Sequence, residues 1–100
     1  MIRGTAGFEV HAPSLERCLD VIRTFVSYVR ENEKGTVRYE SWQDAERPTR
    51  FLHIYEFRDA DAEHVHSSSE AVERFTSALY PECVGPVHFS SYELAATTVR

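Results

Sequence analysis

The sequence predicts an α+β domain of the ferredoxin-like, split βαβ kind, with helices on one side of a four-stranded antiparallel sheet. Three observations lead there. Segments whose apolar residues recur every second position alternate with segments of helical period, in the order β, α, β, β, two short helices, β. The length of 100 residues, 42% of them hydrophobic, suits one small core, so residues 1–100 are read as a single domain. One strand is apolar on both faces, which calls for a cover on each side of the sheet.

The first strand is expected over residues 2–10, where Ile2, Gly4, Ala6, Phe8 and Val10 alternate with Arg3, Thr5, Gly7 and Glu9. Pro13 and Ser14 break that pattern, with Ser14 a candidate N-cap. Leu15, Cys18, Leu19, Ile22, Phe25, Val26 and Val29 then recur at helical spacing, and the helix should stop between Asn32 and Gly35, where glycine can adopt a left-handed cap. Residues 36–43 are rich in β-branched and aromatic types and read as a second strand. The polar stretch 44–48, with Pro48, is a hairpin connection into a third strand at 50–58.

In that third strand Phe51, His53, Tyr55 and Phe57 share one face, and Leu52, Ile54 and Glu56 the other. Glu56 should pair with an arginine such as Arg38 or Arg58, or face water. The chain's own helices can cover one face, and a second copy of the chain is the expected cover for the other. Asp59 is an N-cap for a short helix from Ala60 to about His66. Ser67 and Glu70 are spaced as a capping box for the next helix, which carries Val72, Phe75 and Leu79 on one stripe and stops at Pro81. The last strand is expected over residues 84–94, with Pro86 favouring an edge position or a late start.

Composition narrows the partners. The net charge is -5, and eleven basic residues scatter among sixteen acidic ones, which argues against a nucleic-acid or anionic-membrane surface. No apolar run reaches signal-peptide length or the ~20 residues that span a bilayer, so a cytoplasmic location is expected. Cys18 and Cys83 stand far apart with no ligand-type neighbours and read as reduced, buried thiols. No cluster of His, Cys, Asp or Glu has metal-ligand spacing, so no metal site is expected.

From the run 31–35 into Tyr39 and Glu40, and again through 55–59, Ala62, His66, Ser69 and Phe75, the chain resembles the antibiotic biosynthesis monooxygenase family. The family pattern is an aromatic, most often Trp, followed by Asp two, Ala five and His nine residues on; Phe57, Asp59, Ala62 and His66 match it, with Phe where Trp is commoner. The resemblance spans nearly the whole chain. It implies a homodimeric α+β barrel, in which two four-stranded sheets pack face to face and each subunit keeps a pocket between sheet and helices.

The resemblance further implies oxidation of an aromatic hydroquinone or phenol by O2 without metal, flavin or haem. Such chemistry needs an apolar slot for a flat ring, a base for the phenol, and a dry space where ring and O2 meet. His66 is the first candidate for the base, since an imidazole accepts protons near neutral pH. Its place at a helix end also allows a plain capping role. His53 is a second acid or base if its strand face lines the pocket, and a buried structural histidine if that face meets the partner. Phe57, Tyr39, Trp42, Phe25, Val72 and Phe75 are candidates to line the slot, or to be ordinary core. His64 reads as solvent-exposed, and nothing supports a ligand role for His11 or His88.

Haem-degrading relatives of this fold use an asparagine, a tryptophan and an axial histidine where this chain has Gly7, His66 and Thr76, which disfavours haem chemistry. The remaining alternatives are a cyclase or isomerase acting on a polyketide-like or lactone substrate, and a non-catalytic dimer that binds a small ligand.

Overall fold

The computed structural model describes all residues 1–100. Strand β1 (Ile2–Glu9) leads through a 3-10 turn (Ala12–Ser14) into α1 (Leu15–Asn32). Strands β2 (Thr36–Gln43) and β3 (Arg50–Phe57) follow, then α2 (Ala60–Ser67), α3 (Glu70–Leu79), a second 3-10 turn (Tyr80–Glu82) and β4 (His88–Tyr92). The sheet runs β2-β3-β1-β4, and each neighbouring pair is antiparallel. α1 carries the chain from β1 past one strand position to β2, and the hairpin at 44–49 returns β3 into the gap. This is the expected split βαβ order, a four-stranded α+β fold.

Packing follows the two periods. Along β1 and the residue after it the buried positions are Gly4, Ala6, Phe8 and Val10, and the residues between them are partly exposed. α1 buries Cys18, Ile22, Phe25 and Val29, and α3 buries Ala71, Phe75 and Leu79. These two stripes meet Phe8, Val10 and Phe51 of the sheet in one hydrophobic cluster. The opposite face of the sheet has no helix over it, and there Trp42 and the directly paired Leu52 remain 57% and 42% exposed.

Several local expectations are corrected. Ser14 makes no cap; its hydroxyl donates instead to Glu82 Oε1 at 2.5 Å, tying the start of α1 to the second 3-10 turn. Gly35 does not adopt positive φ, and Gly85 alone does, at 80°. What demands glycine at 35 is proximity, because a Cβ there would sit 2.5 Å from the Cβ of Ala62. Asp59 caps α2 as expected, accepting from Ala62 N–H at 2.8 Å. The cap of α3 is Ser69, which accepts from Val72 N–H at 3.1 Å, whereas Ser67 is the last residue of α2. Glu56 pairs with Arg3 across the strand at 3.8 Å, not with Arg38 or Arg58. β4 is shorter than the 84–94 window and forms one edge of the sheet, consistent with Pro86 ahead of it. Both cysteines are free thiols, Cys18 buried and Cys83 half-buried.

Candidate functional site

The helix-covered face of β3 forms the floor of the site. Phe51, His53 and Phe57 project there and are buried, and Tyr55 lies between the last two. The two central positions have small neighbours on β1: Ala6 pairs with His53 and Gly4 with Tyr55. A Cβ on Gly4 would stand 2.7 Å from the Tyr55 hydroxyl, so glycine is what lets this ring lie flat across β1. Above the small residues a cavity of about 270 Å³ remains between sheet and helices. Phe25 of α1, His66 of α2, Val72 and Phe75 of α3, and Tyr39 of β2 complete much of its wall. Exposed Tyr80 and Phe89 also line it and mark where it meets solvent.

Of the residues singled out from sequence, His66, His53, Phe57, Tyr39, Phe25, Val72 and Phe75 all line this one cavity. Trp42 does not. It lies three positions from Tyr39 on the same strand, so the two must project to opposite faces, and Trp42 falls on the helix-free side opposite Leu52. The same parity rule puts His53 on the cavity side of the sheet. Tyr55 follows His53 and Phe57 onto the cavity face that the alternation of β3 gives it, whereas Glu33, Ala6, Phe8 and Leu79 are site residues that the sequence reading did not single out.

His66 sits in the last turn of α2, yet it does not cap that helix. The serines after it take the exposed carbonyls: Ser67 Oγ donates to Glu63 O at 2.9 Å and Ser68 Oγ to His64 O at 2.6 Å. The imidazole is left free to turn inward, where its ring lies 4.9 Å from Phe57, 5.5 Å from Tyr39 and 5.6 Å from Phe25. Its Nδ1 is 2.7 Å from Oε1 of Glu33, the C-cap residue of α1. Glu33 is 6% exposed, and the same oxygen accepts from Thr36 Oγ at 2.9 Å. An ionised carboxylate only accepts hydrogen bonds, so Nδ1 carries the hydrogen. With Nδ1 turned to the carboxylate, Nε2 is the ring nitrogen of His66 without a hydrogen-bond partner in the protein.

His53 differs in kind. It is 1% exposed, and burial alone lowers its pKa to about 4, so the ring is neutral at physiological pH. Its Nδ1 lies 2.9 Å from the hydroxyl of Tyr39, while Nε2 is buried without any partner. Burial, reinforced by Tyr55, Tyr80 and Glu33, raises the Tyr39 pKa well above the ordinary tyrosine value and keeps the phenol protonated. Tyr39 thus stands between two imidazoles, each ring 5.5 Å from its own. Phe8 meets His53 edge-on at 5.0 Å and Phe75 stacks at 5.9 Å, so the second imidazole is held in an apolar sleeve. His64 is exposed, as are His11 and His88. No three His, Cys, Asp or Glu side chains converge closely enough to hold a metal ion.

An apolar chamber with two polar points of opposite character lies on a four-stranded sheet backed by helices, within an α+β domain. Residues 1–78 match the antibiotic biosynthesis monooxygenase family, and the chain belongs to that family. No curated protein sequence matches it. Among solved structures it is similar to an antibiotic biosynthesis monooxygenase at TM-score 0.89 and 19% identity, with 96% of this chain and 100% of that one aligned. A conserved protein from Methanosarcina mazei Go1 aligns at TM-score 0.83 and 18% identity over 91% of this chain and 89% of its own. A protein from Shewanella oneidensis aligns at TM-score 0.80 and 24% identity over 91% and 87%. At these identities the likeness concerns the fold.

Proposed function

We propose that this chain is a cofactor-independent monooxygenase that oxidises an aromatic hydroquinone or phenol with O2, with His66 as the catalytic base. The observation that supports the reading most is the 2.7 Å contact between His66 Nδ1 and the buried Glu33 carboxylate, at the wall of a cavity lined with Phe25, Phe57 and Phe75. His66 Nε2 accepts the phenolic proton, and the Glu33 carboxylate offsets the charge of the imidazolium formed. The electron-rich phenolate reduces O2, and a carbon–oxygen bond forms to give a ring peroxide. The imidazolium returns its proton to that peroxide. Cleavage of the O–O bond, with loss of the ring hydrogen at the same carbon, releases water and leaves a carbonyl. Phenol plus O2 gives quinone plus water, so all the electrons come from the substrate.

The same reading includes a homodimer formed through the helix-free face of the sheet, one unit over residues 1–100, and a cytoplasmic setting with a diffusible aromatic substrate. No helix is long and apolar enough to cross a membrane. The test is oxygen consumption by the purified, colourless protein over a panel of hydroquinones and anthrone-like phenols. Consumption that matches quinone formation, and that drops in His66→Ala, is the expected result. Equal turnover under nitrogen would replace this reading with an isomerase or cyclase, and no turnover across the panel would leave a ligand-binding dimer.

A further inference from the structure

A buried nitrogen without a partner calls for an explanation, because an unmatched polar atom in a dry interior is costly. His53 Nε2 is such an atom, and the His53 ring lines the ligand cavity rather than a closed core. We propose that the His53–Tyr39 pair is a second oxygen-binding point, which presents either a hydrogen-bond donor or an acceptor to a ligand without changing its charge. The proposal rests on the monooxygenase reading only for the choice of an oxygenated ring as ligand.

The argument is a count of hydrogens. Two protons reside on the pair, one on the neutral imidazole and one on the Tyr39 hydroxyl, and one hydrogen bond of 2.9 Å joins them. If Tyr39 donates to Nδ1, the ring hydrogen sits on Nε2, which then donates to a carbonyl. If Nδ1 donates to the Tyr39 oxygen, Nε2 is bare and accepts from a hydroxyl. Both arrangements are neutral, and low basicity of His53 with a firmly held Tyr39 proton keeps the pair neutral in either. His66 has no such freedom, because Glu33 occupies its Nδ1 with a group that only accepts.

The two points therefore select a flat ring with two oxygens. A hydroxyl goes to the fixed acceptor at His66, and either a hydroxyl or a carbonyl goes to His53.

Nitrogen-15 NMR of the histidine-labelled full chain under nitrogen gas tests this without turnover. The probes are hydroquinone, para-hydroxyacetophenone and phenol. The expected result is a bare Nε2 on His53 with hydroquinone and a protonated Nε2 with the ketone. One tautomer with both ligands, or no response at His53 to either, overturns the proposal. In His53→Phe, hydroquinone and the ketone should each bind about tenfold more weakly, down to the affinity of phenol, whose own binding is unchanged. Undiminished affinity for the two-oxygen ligands would also overturn it. A His53 response in a protein that consumes no O2 sinks the monooxygenase reading and leaves this subsite standing; O2 consumption with a silent His53 does the reverse.

Discussion

Glu33 Oε1 and His66 Nδ1 meet at 2.7 Å although 33 positions separate them, one at the end of α1 and the other in the last turn of α2. The contact depends on close approach of the two helix ends, which Gly35 permits by packing directly against Ala62. Substituting His66 with Ala should lower kcat by at least about a hundredfold, the lower end of what a positioned base contributes. Glu33→Gln keeps the shape but offers the imidazole a donor as well as an acceptor, so Nδ1–H is no longer enforced. A fall of about tenfold in kcat with little change in KM is expected, the worth of one charge-assisted hydrogen bond. Steady-state kinetics on both variants checks the pair, and an unchanged kcat in Glu33→Gln would remove Glu33 from the mechanism.

The depressed pKa of His53 makes stability depend on pH. The unfolded histidine takes up a proton from about pH 6.5 downward and the folded one only near pH 4, so the unfolded state binds more protons between those values. The stability associated with the neutral buried ring is complete above about pH 6.5 and is lost as the pH falls towards 4. Between about pH 8 and pH 5 the loss should be about 2 kcal/mol. Urea unfolding at both pH values measures it, and the pH-dependent part should vanish in His53→Phe whatever that variant's absolute stability.

Ala at position 35 would bring two methyl groups to 2.5 Å, with backbone behind both. Gly35→Ala should destabilise the fold by about 1–3 kcal/mol, the usual range for overpacking. Gly7→Ala, whose nearest contact would be Leu52 Cδ1 at 3.8 Å, has room and serves as the control. Similar melting temperatures for the two variants would contradict the close packing of α2 against the end of α1.

The serine that starts α3 is equally open to test. Ser69→Ala removes an acceptor for Val72 N–H and should cost about 1 kcal/mol, while Ser67→Ala removes only a back-bond inside α2 and should cost less. Thermal unfolding in the reverse order would restore the capping-box reading of Ser67 and Glu70.

Trp42 and Leu52 face away from the cavity, so their substitution separates assembly from ligand binding. Trp42→Glu combined with Leu52→Glu should convert the expected dimer to monomer in analytical ultracentrifugation, since a buried unpaired charge on each sheet is costly. Sedimentation as a monomer before any substitution would refute the dimer.

Much of the fold was legible in the sequence because period and punctuation are local properties. The alternation through Ile2 to Val10, the helical stripe from Cys18 to Val29 and the cap at Asp59 each depend on residues a few positions apart. The resemblance built on Phe57, Asp59, Ala62 and His66 led to the family that residues 1–78 match. Trp42 lies off the cavity for a reason that is also local, its odd spacing from Tyr39 along β2. Ser14 and Gly35 were misjudged for another reason: the groups that decide their roles, Glu82 and Ala62, are distant in sequence.

By itself, then, the chain determined its element order, its apolar periods and the candidate histidines. Only the tertiary structure decided what those histidines can do. The hydrogen-bond partner of each ring is set by the atoms a few ångströms away, and for His66 and His53 these are Glu33 and Tyr39, supplied by the end of α1 and by β2. No spacing rule along one strand or helix can specify a contact made between two of them.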